Sequence, residues 1–134
     1  MPNIPAPHVA FVDDTKNIAK PWLRFLHNVN PFKPIQPNLT ALAGGAQVGA
    51  TQLNFGTNIL VVVAALHDST ILPPASASND IVFLVNTGAQ STNVYPQVGE
   101  ATNNGVNQPI AVPSAKCGLF VDYATATWGG GTLG

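Results

Sequence analysis

The sequence predicts an all-β protein: a compact antiparallel sandwich or barrel-like module of short strands, preceded by an extended proline-rich arm and one short helix. Three observations carry that expectation. Beyond residue 45, short runs rich in Val, Ile, Phe and Thr alternate with turn-forming clusters such as Pro73-Pro74, Ser78-Asn79-Asp80, Asn86-Thr87-Gly88 and Asn103-Asn104-Gly105. No stretch after residue 45 has the length and 3.6-residue periodicity of a crossover helix, which favours hairpins over βαβ units. At the other end, Pro2, Pro5 and Pro7 remove backbone donors and fix φ, so the first residues read as an extended arm.

The helix is expected over Lys20–Asn30, where Trp22, Phe25, Leu26 and Val29 fall at i, i+3, i+4 and i+7 and share one face. Pro21 suits the first helical position and Pro31 ends the run. So short a helix is marginal alone. Its apolar face, with Phe11 of the arm, is therefore expected to dock on a partner. Residues 31–45 (PFKPIQPNLTALAGG) read as a linker, which divides the chain into a docking segment, 1–45, and a β module, 46–134.

Within the module, strands are expected at Ala50–Phe55, Asn58–Leu66, Thr70–Leu72, Ile81–Asn86, Thr92–Tyr95, Ile110–Val112, Gly118–Tyr123 and Ala126–Trp128. In the fourth of these, Ile81, Phe83 and Val85 share one face and Val82 and Leu84 the other, so the strand is central or covered by another copy. These five residues and Phe120 form the expected contact surface between copies. In Gly118–Tyr123, Leu119, Val121 and Tyr123 alternate with Phe120 and Asp122, a half-buried pattern with its polar side outward. Asn104-Gly105 predicts a type I′ hairpin turn, and Gly129-Gly130-Gly131 a flexible tail.

Composition points to association. Of 134 residues, 46% are hydrophobic and only 8% charged, against about 25% charged in an average soluble protein. A surface so poor in charge lacks the usual protection against sticking to its own copies, and a homo-oligomer, a trimer foremost, is expected. Lys16, Lys20, Arg24 and Lys33 face only Asp13 and Asp14 in the first 33 residues, whereas Lys116 faces Asp68, Asp80, Glu100 and Asp122 in the rest. No basic stripe results, so nucleic acid is not an expected partner. Cys117 stands alone, which leaves no intrachain disulfide or Cys-rich metal site. The first residues lack a basic region leading into an apolar core, so no secretory signal is expected. The longest apolar run, Ile59–Leu66, has eight residues, too few for a bilayer span of about 20, and no membrane partner is expected.

No residues assemble an expected catalytic, cofactor or metal site. His8, His27 and His67 lack ligand spacing to other donors. His67-Asp68-Ser69 has the residue types of a hydrolytic triad, but neighbours in an extended segment point apart. The three consecutive glycines open no helix that could hold a phosphate. Asp13-Asp14 reads as a solvated or capping pair, and the Asn38-Leu39-Thr40 sequon carries no meaning outside a secretory route. Trp22, Trp128, Tyr95 and Tyr123 are scattered, which suits core and interface anchoring better than a sugar-stacking platform.

Two stretches resemble tailed-bacteriophage virion proteins. Val12-Asp13-Asp14-Thr15 followed by Pro21-Trp22-Leu23-Arg24-Phe25-Leu26 looks like the opening of small fibre and tail-associated chains. Asp68-Ser69-Thr70-Ile71-Leu72-Pro73, Ile81–Ala89 with its Asn86-Thr87-Gly88, Val94-Tyr95-Pro96-Gln97-Val98-Gly99-Glu100, Ala111-Val112-Pro113 and Gly118-Leu119-Phe120-Val121 are similar in order and spacing to a β module of phage structural proteins, with Glu100 where Asp is usual. The resemblance implies a non-enzymatic virion component, a capsid decoration, cement, knob or short fibre protein. It implies assembly in the host cytoplasm and docking to capsid, portal or tail proteins. The alternative expectation is a tail module that binds a host glycan.

Overall fold

The β-branched and aromatic runs form strands along the whole of residues 35–134, which are the residues that the computed structural model describes. The arm and helix expected over residues 1–30, with Phe11, Trp22, Phe25, Leu26 and Val29, lie outside them. In chain order the strands are β1 (Ile35–Thr40), β2 (Thr51–Gln52), β3 (Gly56–Val62), β4 (Ser69–Ile71), β5 (Ile81–Asn86), β6 (Thr92–Tyr95), β7 (Ala101–Thr102), β8 (Gly105–Val106), β9 (Ile110–Val112), β10 (Lys116–Ala124) and β11 (Thr127–Leu133). No helix occurs among the described residues, so the all-β expectation holds.

The pairing departs from the antiparallel sandwich. One sheet has seven strands in the order β1-β3-β5-β10-β11-β7-β8, and the other has four, β2-β4-β6-β9. Successive strands from β1 to β6 alternate between the two sheets. Each strand therefore lies parallel to the one two before it: β1 with β3, β3 with β5, β2 with β4, and β4 with β6. This is a solenoid-like winding of three coils. Parallel neighbours need a long crossover, and a helix is its usual form. Here the crossover is a strand of the opposite sheet, so the lack of a helical stretch did not imply hairpins. Between the named strands, antiparallel pairing enters only afterwards, where β9 joins β6, β10 joins β5, β11 joins β10, and β7 pairs with β8.

The core fills the space between the sheets. Leu60, Val82, Leu84, Phe120 and Trp128 come from the larger sheet, Val94, Ile110 and Val112 from the smaller, and Leu53, Val63 and Leu72 from the connections. Phe55 leans on Trp128, ring centroids 6.1 Å apart and planes at 28°. The Phe120 ring reaches this space because glycines stand beside it. A Cβ on Gly118 would lie 2.8 Å from the Phe120 ring, and one on Gly130 would lie 2.9 Å from it.

Two asparagines are wholly buried among these apolar residues, and each fastens a corner of the winding. Asn58 accepts from the Asn54 N–H at 2.9 Å and donates to the Asn54 carbonyl at 2.8 Å. Asn86 donates to the carbonyls of Gln90 and Val112, both at 2.9 Å, and accepts from the Gly88 N–H at 2.9 Å. Water cannot replace these partners. Asn86→Ala is expected to cost about 2 kcal/mol, because a buried carbonyl and a buried N–H lose their bonds together. Urea denaturation would show this as a lower midpoint at unchanged slope.

Three further expectations change. Residues 35–40 of the expected linker form β1, so the sheet begins ahead of residue 46, and Gly44-Gly45 is a fixed turn. There φ is 90° and 70°, the Gly45 carbonyl accepts from the Tyr95 hydroxyl at 3.0 Å, and Ser69 Oγ donates to the Ala46 carbonyl at 2.6 Å. The hairpin of β7 and β8 turns at Asn103-Asn104, with Thr102 opposite Gly105. Neither asparagine has positive φ, so the turn is not type I′, and the left-handed demand falls on Gly105 at 121°. Gly129-Gly130-Gly131 is no tail but the middle of β11, paired with β10.

Candidate functional site

Three of the four acids in the described region, Asp68, Asp122 and Glu100, serve the backbone. Asp68, 2% exposed, accepts from the N–H groups of Ala64 at 3.1 Å, Ala65 at 2.9 Å and Gly44 at 3.2 Å. Asp122, fully buried, accepts from the Asp80 N–H at 2.5 Å and from the Ser76 N–H at 3.1 Å. Glu100 accepts from the Ala75 N–H at 2.9 Å and from Trp128 Nε1 at 3.3 Å. Each carboxylate thus supplies the acceptors that irregular loop backbone lacks. His67-Asp68-Ser69 does not converge: His67 Nδ1 faces Asn93 Oδ1 at 3.3 Å, while Ser69 Oγ turns to the Ala46 carbonyl. Among the described residues, no group of three or more His, Cys, Asp or Glu side chains could hold a metal ion. No helix among them is long and apolar enough to cross a membrane.

What the strands do set out is a surface. Burial alternates strictly along β5, with Val82, Leu84 and Asn86 inward and Ile81, Phe83 and Val85 outward and half-buried. The register extends this outer face sideways. Ile59, Val85, Cys117 and Leu133 align across β3, β5, β10 and β11, as do Phe83 and Leu119, and Ile81 and Val121. Val61, 38% exposed, and Tyr123, 57% exposed, continue it. None of these outward positions bears a charge.

No family model, curated protein or solved structure matches this chain.

The contact surface expected between copies is thereby split. Ile81, Phe83 and Val85 lie on the outer face, but Val82, Leu84 and Phe120 are 0% exposed and belong to the chain's own core. The strand has two apolar faces because it is central in its sheet. In β10 the expected orientation is reversed. Phe120 and Asp122 point inward, and Leu119, Val121 and Tyr123 point out. The polar residue at 122 suggested a wet face, whereas the loop at residues 76–80 needs a buried carboxylate there. Ile59, Val61, Cys117, Leu119, Val121 and Leu133 are among the members of the surface that sequence reasoning missed. For Ile59 and Val61 in β3 and Leu119 and Val121 in β10 the signal was present as apolar residues two apart, but only the register shows that the two strands' residues share one face. Trp128 is 0% exposed and cannot serve as a sugar-stacking platform.

Proposed function

We propose that this chain is a non-enzymatic structural component of a bacteriophage particle, a decoration, cement, knob or short fibre protein. It docks through its N-terminal segment and associates with its own copies, as a trimer foremost, through the outer face of the larger sheet. The observation that carries this reading is the uncharged apolar outer face around Val85 and Leu119. A sheet with one solvated side ordinarily alternates apolar inward with polar outward. An apolar second side is what contacts between subunits use.

Val85→Glu places a charge in the middle of that face without touching the core. It is expected to convert an oligomer into monomer at micromolar concentration with unchanged circular dichroism. Sedimentation velocity decides the matter, and a wild-type protein that is already monomeric there overturns the self-association. Mass spectrometry of purified particles tests the location, and absence of the chain from them overturns the virion reading.

Recognition of a host glycan is the second reading, and one observation favours it. Tyr123 is a half-exposed ring lying against Gly129, where a Cβ would stand 3.1 Å from its edge. Tyr123→Ala should then abolish any signal on a glycan array, while the array response of Val85→Glu persists.

A further inference from the structure

The first coil leaves two sheet edges side by side. Among the described residues, β1 ends the seven-stranded sheet and β2 ends the four-stranded one, so the winding is open at that end. Parallel coils grow by continuing their ladders. An open end of this kind is a natural acceptor for a strand of another molecule.

Yet β1 is shaped against acceptance. Its pairing with β3 is regular at Ile35↔Thr57 and Gln36↔Asn58, then slips between Gln36 and Leu39 and again between Leu39 and Thr40. Pro37 and Asn38 occupy the first slip, and both are exposed. Pro37 has no N–H to offer an incoming strand, and Asn38 sits at φ 60°, which turns its backbone out of the extended direction. The carbonyl of Thr40 is already taken by the Thr51 hydroxyl at 2.5 Å. The neighbouring edge, β2, offers only two residues. An apolar, charge-poor chain has few other means of blunting an edge, since the lysines that usually do so are missing from β1 and β2.

We propose that the Pro37-Asn38 bulge is an assembly stop. It prevents a second copy from adding a strand to the first coil, so association is confined to other surfaces and cannot run on along the winding. The inference concerns the coil end and holds whether or not the outer face joins copies.

The test uses the full chain. The double variant Pro37→Thr with Asn38→Thr restores an extended edge with all its donors. Pro37→Ala restores the missing donor alone at an exposed position away from the core. Wild type is expected to sediment as one discrete species at micromolar concentration. The double variant is expected to form elongated, thioflavin-positive particles of at least about tenfold greater mass, and Pro37→Ala to form them more slowly. Adding Val85→Glu separates the two surfaces: growth that persists runs through the coil end, and growth that disappears runs through the outer face and overturns the proposal. It is equally overturned if Pro37→Ala, folded by circular dichroism, sediments like wild type after prolonged incubation. Should the double variant not fold, Pro37→Ala alone decides between these outcomes.

Discussion

Gly130→Ala is expected to destabilise the protein by about 3 kcal/mol or more, a large fraction of the stability ordinary for a chain of its size. The reason is space, not backbone freedom. Gly130 pairs with Phe120 across β10 and β11, and its missing Cβ would stand 2.3 Å from the Leu119 carbonyl oxygen and 2.9 Å from Phe120 Cα. Both are backbone atoms in the middle of a ladder. Relief would require the last two strands to separate, and the Phe120 ring would lose its seat in the core. The neighbour provides the control. A Cβ on Gly131 meets nothing within 4 Å, so Gly131→Ala should change stability by no more than about 0.5 kcal/mol. Thermal melts of the two variants side by side would separate a steric cause from a general effect of glycine replacement. Equal melting temperatures would refute the packing account.

Trp128→Ala should cost a similar amount, about 3–5 kcal/mol, by a different route. The indole is fully buried, stacks near Phe55 and donates Nε1–H to Glu100 Oε2 at 3.3 Å. Truncation leaves a cavity between the sheets. It also leaves a half-buried carboxylate with one donor fewer, although the Ala75 N–H remains. Trp128→Phe should recover most of the packing but not the hydrogen bond, and so fall between wild type and alanine. Chemical denaturation followed by circular dichroism would rank the three. Restoration to wild-type stability by phenylalanine would show that the bond to Glu100 contributes nothing.

Much of the strand inventory is legible in the sequence because short β-branched runs bounded by Pro, Gly and Asn have few alternatives. β5, β6 and β9 lie where the pattern puts them. What the pattern cannot carry is partner choice. Ile59 and Val85 are adjacent only because β3 and β5 run in parallel, and that follows from crossing through β4, a strand of three residues with no periodic signature. The register partners also show why no repeat is visible: Ile35 meets Thr57 and Thr57 meets Phe83, so the coils differ in length. β1 is hidden by Pro37 and Asn38, which read as linker residues and prove to be a bulge. In the outer face, Ile81 and Val85 are legible from alternation, whereas Leu119 reads as inward, because Asp122 imitates a solvent-facing residue while binding loop amides. The motif residues Asp68, Asn86 and Glu100 prove to be corner pegs of the winding. Residues of that kind recur wherever loops need acceptors, whatever the protein does.

The late position of Trp128 has a consequence for synthesis. The largest buried side chain of the described core belongs to β11, which pairs with β10 and only through it reaches β5. Three coils can emerge from the ribosome and still enclose a gap where the indole belongs. Until β11 zips into place, the nascent chain presents unfilled hydrophobic surface, and chaperone contact should fall away only when that strand arrives.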